Sequence, residues 1–318
     1  FMWAFDGVGH SKTETGLPFH GEAAMIDDTY LTGKIVYKTH PFIEHFKFVQ
    51  QFEDEDTVAK LTIPAPAQFL EQMIMPFAWG NTKKFYDTPE QVAEDIANGY
   101  KEFIKDVYAA GCRNLQFDDC SWGMVVDQSA CKFFGTTPAG LEKIKNTLLD
   151  INNKSIEGKP EDLVINTHVC RGNFHSTYAS SGAYTGVAAT LFAKENVNAY
   201  YLEYDDERSG GFAPLAKVTG DKKVVLGLIT VIIGGVFNIF FDKLAGGSGI
   251  AGAAISSVGG NAVATPAALA AVDSSLAATA AIATPQVAAA VVVTAILCPF
   301  MTNWISKHTG KEVKTTFS

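Results

Sequence analysis

The sequence predicts an α/β fold, an incomplete (β/α)8 barrel of the TIM type, followed by an α-helical, transmembrane-like segment. Three observations predict it. Strand-like and helix-like stretches alternate up to about residue 229. Polar residues sit at the C-terminal ends of those strands, the end that carries the active site in a parallel barrel. Past a seam at residues 224–230 (Val-Val-Leu-Gly-Leu-Ile-Thr) the chain turns apolar, and Asp273 is the single charged residue between Lys243 and Lys307. We therefore divide the chain into residues 1–229 and residues 230–318.

Residues 60–65 (Lys-Leu-Thr-Ile-Pro-Ala) read as a strand running into a loop. Thr88-Pro89-Glu90-Gln91 predicts a helix start: Thr88 can cap, Pro89 suits the first helical position, and Gln91 completes a capping box. That helix runs toward Ala110, with Gly111 as its stop. Residues 114–118 read as a short strand with Asp118 and Asp119 at its exit. Thr137-Pro138 starts a helix that reaches about Asn152. Strands are predicted at 163–169, ending in His168 and Cys170, at 198–204, carrying Glu203, and at 223–229. A full barrel needs eight strands over roughly 250 residues; five precede the seam.

Charge follows the same division. The net charge is −9. From Thr230 onward Asp242, Asp273 and Glu312 face Lys243, Lys307, Lys311 and Lys314, a net of +1, so the first part carries −10. That excludes nucleic acid as an expected partner. The five cysteines, Cys112, Cys120, Cys131, Cys170 and Cys298, lack paired spacing, which argues against a disulfide framework and for a reducing compartment. A cytoplasmic location is expected for the N-terminal part, and a membrane location for the C-terminal segment.

Residues 224–241 and 285–304 are long apolar runs, close to the ~20 residues that cross a bilayer. Between them lies a stretch dense in Gly, Ala and Ser, residues that let membrane helices approach closely. Pro266 and Pro285 suggest interrupted helices. Membrane association through residues 224–304 is the expectation; a soluble buried helical core is the alternative. Lys307, Lys311 and Lys314 would leave the C-terminus cytoplasmic. Gly247-Ser-Gly-Ile-Ala-Gly252 matches the dinucleotide fingerprint only formally, having neither a soluble strand before it nor a ribose-binding acid after it.

His168-Val169-Cys170 places an imidazole and a thiol two apart at a strand end, on one side of the strand. Together they can grip one metal ion, and zinc favours N/S ligands. Glu203, at the end of the next strand, could add a carboxylate. A strand Cys is also commonly a small buried hydrophobe. Asp118 reads equally as an ordinary loop carboxylate or a helix cap.

Four blocks, Leu61-Thr-Ile-Pro-Ala-Pro66, Leu115-Gln-Phe-Asp-Asp119, Asn166-Thr-His-Val-Cys-Arg-Gly-Asn173 and Tyr201-Leu-Glu-Tyr-Asp205, resemble the catalytic barrel of cobalamin-independent methionine synthases. The resemblance covers residues 20–230. It implies zinc held by His168, Cys170 and Glu203, a homocysteine-like thiol as substrate, and a methylfolate as methyl donor. It implies that Asp118 grips the amino group of the amino-acid substrate, and that Ile63 belongs to the loop beside that substrate, with Glu203 also near it. The family's second zinc cysteine lies in a Pro-Gln-Cys-Gly-Phe-like stretch. No such stretch follows Thr230, and Cys298, ahead of Pro299, is not assigned the role. Methyl transfer would be impaired in an open barrel.

Residues 225–307 resemble the C-terminal end of 2-keto-3-deoxygluconate permeases, through Gly246-Gly-Ser-Gly-Ile-Ala-Gly-Ala-Ala254, Gly260-Asn-Ala-Val-Ala-Thr-Pro-Ala267 and Gln286–Ile296. This implies a sugar-acid:proton symporter fragment, in which Asn261, Thr265 and Pro266 line a substrate path and Asp273 couples protons. A loop position for Asp273 is the alternative. Both resemblances meet at residues 224–230, so a chimera of two unrelated genes is a further expectation.

Overall fold

The computed structural model describes residues 1–227, apart from 13–15, 26, 175–176 and 205–206. The apolar run at 224–241 past its first four residues, the run at 285–304, and Asn261, Thr265, Pro266 and Asp273 lie outside the described residues. Among the described residues, no helix is long and apolar enough to cross a membrane. The chain divides into two compact units. One holds residues 1–201 and 217–224; the other holds residues 202–216 and continues from 225.

The first unit opens with strands that the sequence pattern did not announce. β1 (Asp6–Lys12) pairs antiparallel with β4 (Asp27–Val36), and β2 (Leu17–Phe19) pairs with β3 (Glu22–Ala24). A register shift falls between Asp6 and Val8, at Gly7, whose φ of +82° suits the bulge. α1 (Phe42–Gln50) follows.

β5 (Leu61–Pro64), β6 (Asn114–Asp119), β7 (Val164–Val169), β8 (Ala199–Leu202) and β9 (Lys223–Leu226) then form one sheet in chain order. β6 pairs in parallel with both β5 and β7. The connections are helical: α2 (Pro66–Ile74), α3 (Pro76–Thr82) and α4 (Pro89–Ala109) between β5 and β6; α5 (Ser121–Met124), α6 (Ala130–Phe133) and α7 (Pro138–Ile156) between β6 and β7; and α8 (Leu191–Lys194) before β8. A parallel sheet in chain order with helical crossovers is an α/β fold like part of a TIM barrel.

Period-two burial along the strands explains why these residues fold this way. On β6, Leu115, Phe117 and Asp119 are buried against the helices, while Asn114, Gln116 and Asp118 alternate onto the other face. α4 supplies a matching stripe at helical spacing: Val92, Ile96, Tyr100, Phe103 and Val107 are all buried. Gly111, at φ +106°, closes α4 as expected.

Two local expectations are corrected. Thr88 does not cap α4 with its side chain; Gln91 Oε1 instead accepts from the Asp87 amide at 2.8 Å. Thr137, by contrast, does cap α7, accepting from the Gly140 amide at 3.2 Å. The strand expected over 198–204 ends at Leu202, because Tyr204 takes a φ of +43°, which no β ladder tolerates.

Candidate metal centre

The exits of β6 and β7 build the centre. The parallel register sets Asp118 beside His168 and Asp119 beside Val169. Two backbone hydrogen bonds then hold the exits in line: the Cys170 amide donates to the Asp119 carbonyl at 3.1 Å, and the Ala65 amide to the Asp118 carbonyl at 2.9 Å. Side chains two apart on a strand share a face. Hence His168 and Cys170 lie together, and Asp118 faces them from the neighbouring strand.

His168 Nδ1 lies 3.0 Å from the Tyr201 carbonyl. A carbonyl only accepts, so Nδ1 carries the proton and donates it. The ring is thereby oriented with Nε2 toward Asp118, whose Oδ1 is 4.0 Å away. An imidazole anchored through one nitrogen is pre-set to give the other to a metal. The Gly172 amide donates to Cys170 Sγ at 3.2 Å. Cys120, the first residue past β6, joins them: one ligand atom each from Asp118, Cys120 and Cys170 lie within 4.8 Å of one another.

The electrostatics follow from that crowding. The hydrogen bond from Cys120 is the largest influence on Cys170 and lowers its pKa; burial opposes it, while His168 and the Gly172 amide reinforce it. The Cys120 thiol is driven up, by the same hydrogen bond and then by burial. Burial by itself would lower His168, but Cys170, Asp118 and the Tyr201 carbonyl together raise it to about 9. Burial, then the charge on Cys170, raises Asp118 to about 6, with His168 opposing. Without a metal, the cluster favours the thiolate of Cys170 and the protonated ring of His168, so an incoming cation would meet a thiolate and would have to displace the proton on His168 Nε2.

Behind this face, on the helix side of the sheet, lies a buried polar network. Asp119 accepts from the Ser121 amide and hydroxyl and, at 3.0 Å, from Asn152 Nδ2. Asn152 also donates to Glu195 Oε1 at 2.9 Å and accepts from the Ala67 amide at 2.9 Å. Glu71 is buried beside Asp119. The sequence reading missed the roles of Asn152 on α7, Glu71 on α2 and Glu195 directly after α8. Cys120 was noted only as one of five cysteines. Its position directly after the Asp-Asp strand exit was the signal available.

Ile63 is 1% exposed and pairs in register with Phe117, on the face opposite Asp118. Its side chain is thus core, and any contact with a ligand falls to its main chain. Glu203 follows β8 in the second unit, where Arg208 approaches its carboxylate to 3.8 Å. Next to it, Tyr204 stacks on Phe212 with ring centres 4.6 Å apart, and its amide donates to Ser209 Oγ at 3.2 Å.

Fold and site together define an α/β chain of the barrel-related class, with a thiol, imidazole and carboxylate cluster at its strand exits. Particular proteins resemble the chain in sequence. The uncharacterized protein YxjH of Bacillus subtilis is 36% identical over 239 residues, 75% of this chain and 62% of its own length. A crystal structure described as a candidate vitamin-B12-independent methionine synthase from Listeria monocytogenes superposes with a TM-score of 0.51 at 33% identity. It covers 71% of this chain and 58% of that one. A family model described as KdgT, 2-keto-3-deoxygluconate permease, matches residues 215–311. 2-keto-3-deoxygluconate permease 1 of Salmonella typhimurium is 54% identical over 89 residues, 28% of each chain. The chain spans 62% of the length of YxjH. It thus resembles two families, cobalamin-independent methionine synthases over its N-terminal part and 2-keto-3-deoxygluconate permeases over its C-terminal segment.

Proposed function

We propose that residues 1–229 form a zinc-dependent methyltransferase-like domain that moves a methyl group from a methylfolate to a homocysteine-like thiol. His168, Cys170 and Glu203 would hold the zinc. The observation that carries this reading is the His168 ring, anchored through Nδ1 with Nε2 left to face Cys170 and Asp118. The donor chemistry, one imidazole with thiol and carboxylate, is the set zinc prefers. Glu203 enters by chain connectivity, one residue past the strand that follows β7 in the sheet. Zinc would supply Lewis acidity that favours the thiolate form of a thiol substrate.

The chain's own residues supply the rest. Asp118, with a pKa of about 6, is ionised at neutral pH and can accept hydrogen bonds from an ammonium group. The Ile63 main chain, at the exit of β5, would border the same substrate. Zinc content of the purified full chain, with methionine formation from homocysteine and a methylfolate, tests the reading. About one zinc per chain is expected, lost in His168→Ala and Cys170→Ser. A zinc-free protein, or methionine formation unchanged in Cys170→Ser, would sink it.

A second reading concerns residues 230–318, and the family match over 215–311 favours it. We propose that this segment is membrane-embedded and derives from a sugar-acid:proton symporter, with Asn261, Thr265 and Pro266 on the substrate path and Asp273 as the proton site. The matches of 239 and 97 residues together exceed the 318-residue chain, so they share a stretch of sequence. That is the expectation for a chimera joined at a short shared sequence. Retention in the membrane pellet after carbonate washing supports embedding; full release into the supernatant rejects it. One long DNA read across the codons for Asn198 to Pro266 decides whether both parts share a gene.

A further inference from the structure

We propose that Cys120 is the second thiolate ligand of the metal, completing with His168 and Cys170 a donor set of one nitrogen and two sulfurs. The inference rests on the zinc reading above and deepens it. Two sulfurs bound to one zinc at about 2.3 Å can stand no more than about 4.6 Å apart. The ligand atoms of Cys120, Cys170 and Asp118 fall within 4.8 Å of one another, so the thiol atoms need little or no rearrangement to share an ion. Among the described residues, Cys112 and Cys131 belong to no such group.

Cys120 is held there from three sides. The Cys170 amide binds the Asp119 carbonyl, tying the two strand exits together one residue before Cys120. The Cys120 amide donates to Gln68 Oε1 at 3.2 Å. Asp119 takes both the amide and the hydroxyl of Ser121, fixing the turn on the other side. Past that turn, α5 packs so closely that a Cβ on Gly123 would stand 2.7 Å from the Cys170 carbonyl oxygen. A cysteine between two such anchors has little freedom to swing away, and a preorganised ligand loses little entropy on binding. With the Glu203 carboxylate of the reading above, one imidazole and two thiolates bring the protein ligands to four, so a thiol substrate would enter by displacing one of them or by expanding the zinc to five-coordinate.

The test uses the full chain. First, the intact protein is labelled with N-ethylmaleimide with and without zinc, and each cysteine is followed by peptide mass. Zinc should slow labelling of both Cys120 and Cys170 by about ten-fold or more, leaving Cys131 unchanged. Second, cobalt(II) replaces zinc in the wild type and in Cys120→Ser, with secondary structure checked by circular dichroism. The sulfur-to-cobalt charge-transfer band per bound cobalt should fall by about half in the variant, one thiolate remaining of two. Labelling of Cys120 at the same rate with and without zinc, while Cys170 is protected, overturns the proposal and leaves the zinc reading standing. An undiminished cobalt band in Cys120→Ser does the same. A wild-type chain that takes up neither metal overturns both. The labelling arm needs no variant, so it decides even if Cys120→Ser fails to fold.

Discussion

Asn152 Nδ2 donates to Asp119 Oδ2 at 3.0 Å, in a site where neither residue meets solvent. The same amide group reaches Glu195 Oε1, and its oxygen receives the Ala67 amide. One side chain on α7 therefore ties together the start of α2, the exit of β6 and the end of α8. Both of its amide hydrogens and its oxygen are engaged by groups around the β5 and β6 exits.

Removing it should be costly. Asn152→Leu keeps the volume but leaves Asp119 and Glu195 each short of a donor and the Ala67 amide without an acceptor. Buried polar groups stripped of partners cost about 1–3 kcal/mol each, more when charged. We expect a loss of about 3 kcal/mol or more in urea denaturation, set against those magnitudes. A loss under about 1 kcal/mol, the worth of one ordinary hydrogen bond, would show that the network relaxes freely.

The carboxyl cluster should make stability fall with rising pH. Burial, then the charge of Asp119, raises both Glu71 and Glu195 to about 8, against 4.5 for a free glutamate. Both are then protonated in the folded chain where the unfolded chain is ionised. The folded state binds more protons between pH 4.5 and 8, so this contribution is whole below about 4.5 and lost as pH passes 8. Glu71→Gln, which mimics the protonated form, should flatten the stability profile between pH 5 and 8. An identical slope in wild type and variant would reject the assignment.

His40 acts in the opposite direction. Burial lowers it to about 4, so it stays neutral when folded and gains a proton on unfolding. Its contribution is complete above about 6.5 and disappears as pH falls toward 4. His40→Phe, among neighbours Phe1, Phe42 and Phe103, should reduce the loss of stability on acidification. Thermal melts from pH 7 to 4 measure it; a steeper acid loss in the variant would be the contrary result.

Gly123→Ala should damage the centre from outside. The new methyl would stand 2.6 Å from Ser180 Oγ and 2.7 Å from the Cys170 carbonyl oxygen. The serine can rotate, but the carbonyl is backbone and must shift. Overpacking of this kind costs about 1–3 kcal/mol. A weakened metal affinity should accompany the lower melting temperature, because the shifted carbonyl belongs to a proposed ligand. Full zinc affinity in a destabilised variant would separate the two effects.

Tyr204 sets two terms against each other. Relieving its φ of +43° by Tyr204→Gly returns about 1–2 kcal/mol. Losing a buried aromatic stacked on Phe212 costs about 3–5 kcal/mol. The packing term is larger, so the variant should be less stable. A more stable variant would mean that the strain is greater than its packing repays.

Much of the architecture was legible because it rests on local signals. Thr137-Pro138 opened α7, Gly111 closed α4, and the five strands began within a residue of where alternation put them. The Thr88 cap was misread because Gln91 found the Asp87 amide, a choice between two near neighbours that spacing cannot rank. The β1–β4 pairing was invisible because its partners lie about twenty residues apart and carry no tight-turn signature.

The sequence by itself determined the turn to apolar composition at residues 224–230, the parallel α/β plan and the adjacency of His168 and Cys170 on one strand. Each depends on residue type and on spacing along one strand or one helix. Only the tertiary structure decided that Ile63 turns into the core, that Cys120 meets Cys170, and that Asn152 joins three segments. Those contacts cross from one strand or helix to another, where register and packing, not sequence distance, set which atoms meet.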